Sequence, residues 1–177
     1  MAATADIKNG PLEAHGIRAT LPEGWSGRLF RLPDTPPDRH YPVLHAGNFA
    51  IALNDSAFGQ TLSADVRPGR VVFMYVEYAV DSALKAGVGL YEDRRLPPIL
   101  RPEDFGPRSL QLTRPGQVGY QAFLTVSEAR LGVIYVVLGT GAEADRLCGE
   151  VNKLIDSLEF APTIDGTEFR RLERRPR

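Results

Sequence analysis

The sequence predicts an α+β domain, a mostly antiparallel β-sheet of six to seven strands with one C-terminal helix packed on it. Three observations carry this. Two near-continuous apolar runs, Val71 to Tyr78 and Leu131 to Leu138, are rich in β-branched and aromatic residues and too short for a helical period. A third run, Gly119 to Val126, is joined to the second by Ser127-Glu128-Ala129-Arg130, which is hairpin spacing. Beyond the turn at Gly139-Thr140-Gly141, Leu147, Val151, Leu154, Ile155 and Leu158 recur on one face of a helix, while Asp145, Asn152, Lys153 and Asp156 point elsewhere. Burying those five apolar side chains is worth on the order of 10 kcal/mol as an upper bound. Neither long run alternates with polar residues, so both faces of its sheet are expected to be covered.

From the amino terminus, Ile17 to Leu21 alternates, Pro22 to Gly27 breaks the pattern and Leu29 to Leu32 resumes it, which reads as a hairpin. Trp25, inside the break, is expected to close one end of the core. Pro33 to Pro42 carries four prolines and reads as a stiff loop. Asn48 to Leu53 reads as a strand, Ser56 to Gly69 has no clear period, and Asp81 to Leu84 reads as a helical turn stopped by Gly87 and Gly89. Leu96 to Pro102 is expected to be extended, because each residue before a proline is pushed out of the helical region. With Glu103 to Pro107 it makes a long surface loop, and Ser109 to Leu112 reads as a short strand.

A chain of 177 residues with 43% hydrophobic content makes one domain with a sizeable core. The expected boundaries are residues 1–162 for the globular part and residues 163–177 for an arginine-rich tail. The net charge of -1 gives no overall bias toward nucleic acid or acidic membranes. The last eight residues nonetheless carry five arginines and one glutamate, a formal +4 that leaves -5 for the rest. A disordered solubilising tail is the plain reading, with a grip on phosphate or an acidic partner as the functional one. The single cysteine, Cys148, excludes a disulfide framework and multi-cysteine zinc sites, and reads as a small buried hydrophobe. Met1 to Asp6 has no charged start or apolar core, so no leader is read there and a cytoplasmic location is the expectation. No apolar stretch reaches the ~20 residues of a membrane helix.

Candidate chemistry is thin. Gly139-Thr140-Gly141-Ala142-Glu143-Ala144 fits G-x-G-x-x-A between strand and helix, the arrangement by which dinucleotide folds meet a pyrophosphate, with Glu159 at the expected distance beyond it. Against it stand only 36 residues after Gly141, Pro162 in the next extended segment, and the antiparallel hairpin upstream. His40 and His45, with Asp34 and Asp38 nearby, lack a third nitrogen or sulfur ligand, so no metal is expected. G-x-S-x-G is absent, Gly24-Trp25-Ser26-Gly27 being a near miss, and Glu92-Asp93 and Glu103-Asp104 read as solvated pairs beside arginines. No catalytic residue and no cofactor is assigned.

The segment Gly16 to Trp25, with its Leu21-Pro22-Glu23-Gly24-Trp25 turn, and the closing helix Val151 to Phe160, ending Ser157-Leu158-Glu159-Phe160, together resemble the PsbP-like superfamily. That group is named for a photosystem II extrinsic subunit and includes a Ran-binding nuclear-transport factor and actinobacterial lipoproteins. The resemblance covers the two ends, about a third of the chain. It implies an α/β/α sandwich around an antiparallel sheet and a binding or assembly subunit rather than an enzyme. It carries over no functional residue, because Pro22, Gly24, Trp25, Leu154 and Leu158 are structural positions.

The resulting expectation is a non-enzymatic binding or assembly module whose partner is another protein, met by Tyr41, Tyr91, Arg94, Arg95 and Arg101 on the proline-rich loops. The alternatives are a small nucleotide-binding enzyme using the Gly139-Thr140-Gly141 turn, and a small-ligand carrier with a pocket between sheet and helix.

Overall fold

A computed structural model describes residues 7–8, 10–32 and 41–177. Among these residues ten strands and two α-helices follow in the order β1 (Ile7–Lys8), β2 (Pro11–Ala14), β3 (Ile17–Thr20), β4 (Ser26–Arg31), β5 (Pro42–Gly47), α1 (Gln60–Ala64), β6 (Val71–Ala79), β7 (Gln117–Ser127), β8 (Arg130–Gly139), α2 (Ala144–Ser157), β9 (Glu159–Phe160) and β10 (Arg170–Arg171). They form two antiparallel sheets. The larger has the order β1-β4-β5-β6-β8-β7 and the smaller β10-β9-β3-β2.

The apolar runs behave as expected. β8 is buried at all ten positions and lies between β6 and its hairpin partner β7. One face of the larger sheet, bearing Phe73, Tyr75, Ile134 and Val136, packs under α2 and the smaller sheet. All five apolar residues of the α2 stripe are 0% exposed. The opposite face, bearing Val72, Met74, Tyr135 and Val137, is covered by Ile51, Phe58, Leu62 and Val66 from the segment between β5 and β6. Coil and a five-residue helix thus do on this face what α2 does on the other. No helix among the described residues is long and apolar enough to cross a membrane.

Several expectations are corrected. Ile17–Leu21 and Leu29–Leu32 are not hairpin partners, since β3 pairs with β2 and β9 while β4 pairs with β1 and β5. The cause is Trp25. Its ring is 1% exposed, and its indole N–H donates to Glu150 of α2 at 2.9 Å. That anchor carries the chain across the core from one sheet to the other. The true hairpin reverses at His15-Gly16, both at positive φ (55° and 68°), the geometry of a two-residue primed turn. Gly16 is required there, because a Cβ would lie 2.4 Å from the Thr163 carbonyl oxygen.

The strand expected at Asn48–Leu53 lies six residues earlier, at Pro42–Gly47, where Pro42 and His45 disguise a fully buried segment. Asn48 ends it by using its amide on the Gly69 carbonyl and the Val71 N–H. The Ser56–Gly69 segment contains α1, whose first N–H groups are satisfied by the Asp55 carboxylate and the Ser56 hydroxyl. Asp81–Leu84 is a turn held by the Asp81 carboxylate, not a helix, and Pro107–Ser109 is a 3₁₀ turn where a strand was expected over Ser109–Leu112. Leu96, Leu100 and Phe105 of the supposed surface loop are buried. The buried Asn152 amide brackets that loop, accepting from Leu100 N–H at 2.9 Å and donating to Leu100 carbonyl at 2.8 Å.

The last residues are not a disordered tail. β10 pairs with β9, and Arg174 reaches Asp156 at 2.8 Å, the Pro97 carbonyl at 2.8 Å and the Asn152 carbonyl at 3.1 Å. Arg177 pairs with Asp104. Composition hides this because each arginine finds its acceptor on a remote segment. The expected Pro33–Pro42 loop falls mostly on residues 33–40, outside the described residues, as do Asp34, Asp38 and His40.

Candidate functional site

The Gly139-Thr140-Gly141 turn is a packing device. A Cβ on Gly139 would sit 1.8 Å from the Arg67 carbonyl oxygen, so this glycine is what allows the Arg67-Pro68 backbone to approach β8. Thr140 is tied through both its N–H and its hydroxyl to the Gly116 carbonyl. β8 has antiparallel neighbours on both sides, and Glu143 stands at the start of α2, where a phosphate would sit. Neither feature suits a pyrophosphate.

Cys148 is buried and its thiol is pushed up to about 11 by that burial, so it is not a thiolate at neutral pH. His45, paired in register with Arg28 across β4 and β5, is fully buried. Its Nε2 lies 2.8 Å from the Ala57 carbonyl and therefore carries the proton, while Nδ1 has no partner among the described residues. Burial lowers its pKa to about 4, opposed by the bond to the Ala57 carbonyl and by Asp55 and reinforced by Arg28. The folded chain thus refuses a proton that the unfolded chain accepts below about 6.5. Stability should fall as pH drops from 6.5 to 4, by about 3 kcal/mol from this group. Urea titrations across that window check it: His45→Gln, which keeps a donor for Ala57, should flatten the slope. An unchanged slope would assign the acid sensitivity elsewhere. His15, whose pKa burial also lowers, adds a contribution of the same sign.

Of the five residues expected to meet a partner, the structure brings two together. Tyr41 is half-buried against Tyr78, with ring centroids 6.3 Å apart. Tyr91 is only 5% exposed, which corrects the expectation of an exposed ring: it packs edge-on against Phe123 at 5.6 Å, and burial pushes its hydroxyl up to about 12. Arg101 is exposed beside Glu103. Arg94 and Arg95, in contrast, line a hollow of about 390 Å³ together with Arg170 and Arg171 of β10, the following Leu172 and Glu173, and Thr125 and Val126 of β7.

This arginine-lined groove lies where β10, the edge of the smaller sheet, meets the end of β7, the edge of the larger one. Arg94 pairs with Glu128 at 2.7 Å, Arg95 with Asp93 at 3.1 Å, and Arg171 with Glu159 at 3.3 Å. These pairs are partly solvated and are each worth about 0–1 kcal/mol. Arg170 has no carboxylate within ion-pair distance among the described residues. Its guanidinium donates to the Val126 carbonyl at 3.3 Å. In the sequence, Arg94 and Arg95 stand on a loop and Arg170 and Arg171 in the arginine-rich terminal segment. Their convergence over about 75 residues of chain left no periodic or spacing signal, because it depends on β10 pairing with β9. Comparison of the chain with protein-family models, with curated proteins and with solved structures returns no match.

Proposed function

We propose that this chain is a non-enzymatic binding module that holds an acidic segment of another protein in the groove lined by Arg94, Arg95, Arg170 and Arg171. The observation that carries the reading is the presence of four arginines, from two remote segments, in the lining of one hollow, against one glutamate, Glu173. Arginine forks match carboxylates in a bidentate manner, and solvated internal pairs exchange for external ones at little cost. Arg170 enters the exchange without an internal carboxylate to give up. The resemblance of the chain's two ends to the PsbP-like superfamily, whose members are read as binding or assembly subunits, agrees with this function. Nothing in the Gly139 turn favours the nucleotide-binding alternative.

A fluorescein-labelled peptide alternating glutamate with valine serves as probe. Its anisotropy should rise saturably at low salt, and Arg94→Ala combined with Arg170→Ala should weaken binding about tenfold or more, as loss of charge-assisted hydrogen bonds implies. Affinity should also fall as ionic strength rises. No binding at low salt, or equal affinity in the double variant, would sink the proposal.

A further inference from the structure

The side of the larger sheet away from α2 holds a second hollow, of about 450 Å³, within the range of about 300–1,000 Å³ typical of small-molecule sites. Its floor is Tyr135 of β8. One wall is Ala57, Phe58 and α1, and the other is the Leu110–Arg114 loop. The sequence-based alternative of a ligand pocket placed it between sheet and helix. Beside α2 the stripe is fully buried, and the open space is on the other face.

The walls are held in place by specific bonds. Gln117 of β7 donates through its amide to the Ser63 carbonyl at 2.7 Å and the Val66 carbonyl at 2.8 Å, fixing the end of α1. The Gln111 N–H donates to the Tyr135 hydroxyl at 3.0 Å, fixing the opposite loop. His45 holds the Ala57 carbonyl from below, and Phe58 meets Tyr135 edge-on at 6.1 Å. The hollow is therefore built by cross-links on both sides.

Its chemistry is lopsided. Apolar groups dominate, and Leu112 is left 52% exposed beside it. Arg114 is the one charged residue of the lining, and it has no carboxylate within ion-pair distance among the described residues. Asp55, next to Ser56 of the lining, is spent on the Thr61 and Leu62 N–H groups of α1.

We propose that this hollow binds a small apolar molecule with one anionic head group of the carboxylate class. The apolar body lies on Tyr135, Phe58 and Leu110, and the carboxylate meets Arg114. This site is separate from the arginine-lined groove and does not depend on it.

Calorimetric titration of the full chain with decanoate, and with decanol as the uncharged counterpart, tests it. Decanoate should bind at one site and more tightly than decanol. Arg114→Met should weaken decanoate about tenfold or more and remove the preference over decanol. Absence of saturable decanoate binding, equal affinity for decanol, or unchanged affinity in Arg114→Met would overturn the proposal.

Discussion

Replacing Arg130 by methionine should destabilise the protein by about 3–5 kcal/mol, the cost of leaving one member of a buried ion pair alone. Arg130 and Glu77 are each 2% exposed, face one another from β8 and β6, and form a bidentate pair in which Arg130 Nε donates to Glu77 Oε2 at 2.9 Å. The Tyr75 hydroxyl donates to Glu77 at 2.7 Å. Burial raises the Glu77 pKa, with Arg130 the main opposing influence, so loss of the arginine leaves a carboxyl that protonates instead of ionising. Arg130 also donates to the carbonyls of His15, Gly16, Ala161 and Thr163, of which Gly16 keeps a bond from the Ala161 N–H when methionine takes its place. Urea denaturation of Arg130→Met, Glu77→Gln and the double variant measures this. The double variant should cost less than the sum of the singles, because the second change removes a group the first has already stranded. A loss under about 1 kcal/mol for Arg130→Met would mean that water replaces the guanidinium and that the pair is not a keystone.

Ending the chain after Phe169 should lower the melting temperature by roughly 10 °C and make the protein scatter light on standing. Arg174 alone donates to Asp156 and to the carbonyls of Pro97, Pro98 and Asn152, and Leu96 exchanges backbone hydrogen bonds with Glu173 and Arg175. At about 1 kcal/mol net for each bond, a few of these account for a shift of that size in a chain of this length. The scattering has a different origin. Arg175 donates to the Phe123 carbonyl and Arg170 to the Val126 carbonyl, both on the outer edge of β7. Their removal bares an edge strand, and bared edges pair with other molecules. Arg170→Ala with Arg171→Ala in the full chain separates the two causes, since it spares the Arg174 and Leu96 bonds and should melt within a few degrees of the parent. A truncated chain that melts and scatters like the full one would return this segment to the status of an appendage.

The parts of the fold that the sequence makes legible are those whose signal is local. β6, the β7–β8 hairpin and the α2 stripe each announce themselves within a dozen residues, through β-branched runs or a helical period. What was missed has its cause at a distance. β3 is drawn from β4 by Trp25 reaching Glu150, β5 hides behind Pro42 and His45, and β10 looks like a charged tail until β9 and the Leu96 loop are in place. The candidate sites follow the same rule. Arg94 and Arg95 were visible as loop arginines, but the groove needs Arg170 and Arg171. Tyr91 looked exposed because nothing in its neighbourhood shows that Phe123 will cover it. The second hollow had no sequence signature, since Ser63, Arg114 and Tyr135 meet only once the sheet has formed.

The smaller sheet also sets an order of events during synthesis. β2 and β3 are complete within the first twenty residues, yet their neighbour β9 begins at Glu159, and the Arg18–Glu159 bond spans 141 positions. Arg130 seals the same join by holding carbonyls at both ends of the chain. The β2–β3 hairpin can therefore join β9 only after every strand of the larger sheet has been made. Contacts at such sequence separation form slowly, so closure of the smaller sheet is expected to be a late step of folding.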